Sequence, residues 1–420
     1  MRDAHFCSCS FLADKNGMKK HIEKLDLTRI KLIRFIGFLM GFAQAILAYV
    51  MSSFFKEASG IENVGIFYTV SYVIFLLILL NLHKLIRTLG KSNVFYFALL
   101  TKIIAVVFLI MNGPSQIGAF LLMLYIILGH IEWVALDNIV EGFSTDKMSG
   151  RIRGLQLTAL SFGFLLGPFV STYILERTDF SGVFLLSLIL NAVILVFSLL
   201  VFRNVSQKFR EKEKVTEVIK KAFARKNIIR IYYVSFVLDF FYAFMVIYTP
   251  IHLRNLGYSW EDIGLIFTMM LVPFVLVQYP MGVLADKRTG EKEFIIAALL
   301  IMGASTLAIF FMGTGTILAW GAVLFCTRIG AALIEILRDS YFYKRIDKHD
   351  VDLVDFFRTS LPAAYIFATI LSSFMFLFLP IQSAFILVGI VVLSALVPAF
   401  RLNDNKCEAE LPARAATART

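Results

Sequence analysis

Six side chains able to carry charge or to titrate stand among apolar neighbours: His130, Glu132, Asp137, Asp239, Arg328 and Glu335. A charge away from water is costly, so a chain that keeps one in an apolar stretch has a use for it. A carboxyl group in such surroundings holds its proton more tightly than in water and can load and release it near neutral pH. An imidazole titrates there unaided. His130 and Asp137 are seven residues apart, as are Arg328 and Glu335, so each pair shares one face of a helix. Glu132, two residues from His130, points well away from it. The chemistry on offer is proton exchange and ion pairing. No glycine-rich phosphate loop ending in Lys-Ser or Lys-Thr, no HExxH and no GxSxG occurs, which argues against nucleotide-driven pumping, zinc hydrolysis and serine acyl transfer.

The elements that position these groups follow from hydropathy. Hydrophobic residues make up 59% of the 420 and charged ones 17%, against roughly half and a quarter in soluble domains. Most of the 42 phenylalanines fall in apolar blocks. Each block is about twenty residues long, enough to cross roughly 30 Å of hydrocarbon. Twelve spans are read, at 33–55, 64–83, 93–112, 117–140, 154–175, 182–202, 231–252, 262–284, 294–313, 316–337, 358–379 and 382–400. The bases support this count by gathering in alternate loops. One set of loops carries Lys84, Arg87 and Lys91; Lys147, Arg151 and Arg153; ten bases from Arg203 to Arg230; Lys287, Arg288 and Lys292; and Arg338, Lys344, Arg345, Lys348 and Arg358. The six intervening loops hold only Lys56, Arg177 and Arg254. This predicts a multi-pass protein of the cell membrane with both basic tails in the cytoplasm. The net charge of +11 then belongs to a membrane surface and not to nucleic acid. The first thirty residues carry acids and bases throughout, unlike a signal peptide, and Met18 offers a second start. Cys7, Cys9, Cys326 and Cys407 avoid the outer loops and are expected to be free thiols, with no metal site.

The segment around 203–230 is the one long connection. In it Val215, Val218, Ile219, Ala222 and Phe223 recur at helical spacing among Lys and Glu, the pattern of a helix lying on the membrane surface or of a solvated linker. The chain on either side repeats itself at an offset of about 200 residues. Leu32-Ile33-Arg34 matches Ile228-Ile229-Arg230. Gly60 to Ile66, ahead of the second span, matches Ser259 to Leu265, ahead of the eighth. His130, Asp137 and Glu141 have the spacing of Arg328, Glu335 and Asp339. A parallel duplication of six helices is a recurring build of secondary transporters.

One loop is more specific. Gly282-Val283-Leu284-Ala285-Asp286-Lys287-Arg288-Thr289-Gly290-Glu291-Lys292 resembles the loop signature of the major facilitator superfamily, with one extra residue before Gly290 and Glu291 where a base is usual. The equivalent first-half loop keeps Arg87, Gly90 and Lys91 but has no acid. Gly154, Gly163, Gly167 and Pro168 resemble the glycine–proline pattern of that family's proton-exchanging exporters, with Ser171-Thr172 in place of its closing glycines. The resemblance covers residues 30–402. It implies an all-α membrane protein whose twelve transmembrane helices form two pseudo-symmetric six-helix bundles, 32–203 and 229–402. A linker at 204–228 joins them, and tails at 1–31 and 403–420 flank them.

The resemblance also implies a central cavity lined by spans one, four, seven and ten. Gln44, His130, Glu132, Asp137, Asp239, Arg328 and Glu335 would then bind substrate or protons. Glu141 and Asp339 would join the loop bases in gating. Four acids against one arginine predict proton coupling and a small, cationic or amphiphilic solute. The expectation is a secondary active transporter working by alternating access, exporting its solute in exchange for protons. A proton-coupled nutrient importer and a uniporter are the alternatives, with a membrane sensor or an intramembrane enzyme more remote. The expected partners are the solute, protons and the bilayer, with no cofactor and a monomer as the working unit.

Overall fold

Apolar blocks become helices because lipid offers the backbone no hydrogen-bond partner, and a helix satisfies its own N–H and C=O groups. The computed structural model describes residues 31–61, 63–143, 149–202, 215–284, 290–346 and 351–403, and among these it holds helices and turns but no strand. The first half contains Lys31–Ser59 (α1, with a turn at 49–50), Gly65–Leu89 (α2), Lys91–Asn112 (α3), Gln116–Phe143 (α4), Ser149–Arg177 (α5) and Phe180–Val201 (α6). A surface helix, Val215–Ala224 (α7), precedes the second half. There Lys226–Asn255 (α8), Trp260–Leu276 (α9), Gln278–Leu284 (α10), Lys292–Ile309 (α11), Ile317–Lys344 (α12), Val351–Arg358 (α13), Ser360–Met375 (α14), Ala384–Ser394 (α15) and Leu396–Phe400 (α16) make six more crossings.

Ten crossings are helices long and apolar enough to span a bilayer as they stand. The other two differ from the sequence expectation for local reasons. The eighth span breaks at Val277 between α9 and α10, because Pro280 has no N–H to continue the ladder to Leu276. The eleventh is only 16 residues of helix, α14, entered through the separate α13. The tenth runs further than expected, to Lys344. In α7, Val218 and Ala222 are buried while Ile219 and Phe223 are exposed, as an amphipathic surface helix requires, and the helix packs on α13.

The crossings alternate in direction. One face of the bundle therefore carries Lys31, Asn403 and α7, and is called here the terminal face; the opposite face is the far face. In α1, α4, α8 and α12, 56–83% of the apolar stretch is buried, against 39–44% in the other crossings whose stretch meets the same length and hydropathy. These four helices are therefore central, and the rest show Phe97, Phe169, Leu200 and similar residues outward to lipid.

The halves meet along a seam where α2 packs on α14 and α5 on α9. Two repeat-related glycines make the approach close. A Cβ at Gly65 would collide with the Tyr248 hydroxyl and the Thr369 carbonyl; one at Gly264 would collide with Thr172. Around them the far face is joined by neutral hydrogen bonds: Thr69 to Thr369 at 2.7 Å and Asn63 to the Ser373 carbonyl at 3.0 Å. The Trp260 N–H donates to Glu176 at 2.9 Å, and an exposed Arg177–Glu261 pair lies beside it. Ser259 and Asp262 form a capping box that starts α9 at this edge.

Candidate functional site

The charged residues of the second half collect toward the terminal face. Asp239 on α8 is buried and accepts hydrogen bonds from Ser360 Oγ at 2.7 Å and Arg338 Nη1 at 3.1 Å. Arg338, from α12, also donates to Ser235 Oγ at 2.7 Å and lies 3.6 Å from Asp339. Glu335, one helical turn earlier, accepts from the Tyr242 hydroxyl at 3.1 Å and Gln278 Nε2 at 3.2 Å. Arg328 shares its helix face but does not reach it. Tyr242 stands between, its hydroxyl toward Glu335 and its ring 5.6 Å from the Arg328 guanidinium carbon.

In the first half His130 Nε2 shares a hydrogen bond with the Tyr72 hydroxyl at 3.0 Å, and its ring lies over Phe75. Tyr72 stacks on Tyr365 of α14 with ring centroids 4.2 Å apart, so this chain of aromatic groups crosses the seam. Seven residues further along α4, Asp137 crosses it by an ion pair, Oδ2 to Arg358 Nη2 at 2.9 Å, on the terminal side. Asp355 lies 3.8 Å from the same guanidinium.

Glu132 corrects the sequence expectation. It does not face the seam: two residues of helix turn it by about 200° from His130, and it pairs with Lys102 of α3, both side chains buried. Gln44 is half-buried in α1, with no hydrogen bond among the described residues.

The loop signature is partly visible. Gly90 and Gly290, at matching places in the two halves, have φ of +88° and +74°, a backbone region that side chains disfavour, and each starts a helix at the terminal face. Lys91 donates to the Asn138 carbonyl at 3.1 Å, and Arg87 is exposed. Gly282 lies in α10, and Asp286, Lys287 and Arg288 lie outside the described residues. Glu291, the acid standing in place of a base, is fully buried and accepts from Ser340 at 2.8 Å and Lys344 at 2.5 Å, anchoring the loop to α12. Glu141 belongs to α4, but its side chain is not among those described. On α5, Gly163 and Gly167 lie directly against the α1 backbone at Phe38, Phe42 and Ala45, Pro168 follows inside the helix, and Gly154 lies in its first turns.

These central helices, seam contacts and turning loops set the scale of the comparison with known proteins. A sequence model described as Major Facilitator Superfamily matches residues 33–354. The chain belongs to the major facilitator superfamily. No curated protein matches it. As a major facilitator it is an integral, multi-pass membrane transporter, which implies a small-molecule solute and a lipid bilayer as its partners.

In this major facilitator, sequence reasoning missed the partners of the buried acids. Arg338 and Arg358 read as loop bases, yet Arg338 turns into the second half to meet Asp239 and Arg358 reaches across the seam to Asp137. Arg338 lies three residues after Glu335, on the face already singled out, which was a usable signal. Tyr72, Tyr242 and Tyr365 carried none, because tyrosines occur in eight of the twelve spans.

Proposed function

We propose that this protein is a proton-coupled secondary transporter in which the six-helix halves, 32–203 and 229–402, rock about the seam. The observation that carries the reading is the Asp137–Arg358 pair. It joins the two halves, it lies on the terminal side, and one partner is a carboxylate. A proton on Asp137 removes the attraction, so proton loading and opening of the terminal face become one event. His130, Tyr72 and Tyr365 supply a second link between the halves through groups that exchange protons. The close seating of Gly163 and Gly167 on α1, followed by Pro168, supports export as the direction.

The test is flux in proteoliposomes, with and without an imposed pH gradient, using a panel of labelled metabolites. Asp137→Asn is expected to fold, to move solute down its own gradient, and to lose the response to pH. A mutant whose flux keeps the full pH-gradient dependence of the native protein would refute the assignment.

A further inference from the structure

Arg328 is the charge at the seam that no acid pairs with among the described residues. The acids on the seam side of the central helices are engaged elsewhere: Asp137 by Arg358, Asp239 by Arg338, and Glu335 by Tyr242 and Gln278. Arg328 is 1% exposed, and its Nε and Nη1 are buried with no hydrogen-bond partner among the described residues. Its surroundings are rings. Phe241 lies 4.9 Å and Tyr242 5.6 Å from its guanidinium carbon. From the other half, Tyr49 faces it across the seam, its hydroxyl taking one hydrogen bond from the guanidinium and its ring tilted against Phe267 at 4.8 Å, so Nε and Nη1 are the donors left open.

Aromatic faces offset part of a cation's loss of water but accept few of its N–H groups. A buried guanidinium with open donors is therefore incomplete without an acceptor. Its planar fork fits two oxygens of a carboxylate or phosphate side by side, and rings around it favour a flat or apolar body behind that group. The residue at the matching place in the first half, His130, shares its Nε2 with the Tyr72 hydroxyl.

We propose that Arg328 docks an oxyanion of the transported solute, so that the substrate is an organic anion bearing a carboxylate or phosphate, with its body against Tyr49, Phe241, Tyr242 and Phe267. This rests on the transport reading above and reverses the solute charge that a bare count of acids suggests.

The experiment compares thermal stabilisation of the purified full-length protein by benzoate, phenyl phosphate and inorganic phosphate with that by benzamide and benzylamine. One or more of the oxyanions is expected to raise the melting temperature, while the neutral and cationic analogues of similar shape do not. Arg328→Gln is expected to weaken that effect at least tenfold in apparent affinity, and Arg328→Lys to restore part of it. Equal stabilisation by benzamide or benzylamine, no stabilisation by any of the three oxyanions, or an oxyanion effect that survives Arg328→Gln overturns the proposal. If Arg328→Gln does not fold, the charge series on the native protein and Arg328→Lys decide. A solute whose flux is untouched by Arg328→Gln would overturn the docking role and leave transport standing. Arg328-dependent oxyanion binding with no flux of any labelled compound would do the opposite.

Discussion

Breaking the Asp137–Arg358 pair should shift the balance between closed and open forms of the terminal face by a calculable amount. Two unit charges about 4 Å apart attract by about 4 kcal/mol at the effective dielectric of a protein surface. The Arg358 and Asp137 side chains are 16% and 33% exposed, so water and side-chain entropy reduce this toward the roughly 1 kcal/mol of exposed pairs. A coupling of about 1–3 kcal/mol corresponds to roughly a 5- to 150-fold change in the equilibrium. The pair exists only while α4 and the α13–α14 corner are together, so all of that energy acts on the opening of the seam. Spin labels placed at the exposed positions Thr88 and Glu293, at the terminal ends of α2 and α11, report the separation of the halves in a background without native cysteines. Arg358→Gln and Asp137→Asn are each expected to move population to the longer distance. The double mutant is expected to look like either single one. Strictly additive effects of the two substitutions, or distance distributions identical to the native protein, would show that the pair does not hold the halves together.

Two further substitutions test the framework that supports the site. Glu132→Gln and Lys102→Met should each lower stability by about 3–5 kcal/mol, because one buried charge is left alone, whereas Glu132→Leu with Lys102→Met should recover most of the loss; unfolding of the purified protein in mild detergent measures all three. Gly163→Ala should cost about 1–3 kcal/mol by forcing a methyl group onto the α1 backbone at Phe38 and Phe42, and a stability equal to that of the native protein would mean that α1 and α5 are not seated as described.

The crossings were readable from sequence because lipid imposes one requirement, a long apolar helix, and because the bases mark every second loop. The repeat was readable too, and Gly65 and Gly264 give its best-matched segment a physical purpose at the seam. The pairing of charges was less visible. Lys102 and Glu132 stand eleven residues from the terminal ends of antiparallel neighbours, α3 and α4, so equal depth would have matched them. Arg338 was marked only by its place three residues after Glu335, and Arg358 could not be told from a solvated loop base, because a long flexible stem lets a helix-end arginine turn inward as readily as outward. The break at Val277 was signalled by Pro280, but hydropathy alone runs straight through it.

The two ends of the seam are fastened by unlike means. At one end glycines let backbones touch and hydroxyls bond to hydroxyls, interactions whose partners water replaces at small net cost. At the other end an acid and a base must be parted. A proton can therefore unfasten the half-buried pair at one end, while at the other it meets only the rim contacts of Glu176 and Glu261, the latter exposed and worth little. On the proposed proton-coupled reading, that difference gives a cycle built from two similar halves a sense of direction: acidity on the terminal side would govern when that door opens, while the opposite door would answer mainly to the fit of what lies between them.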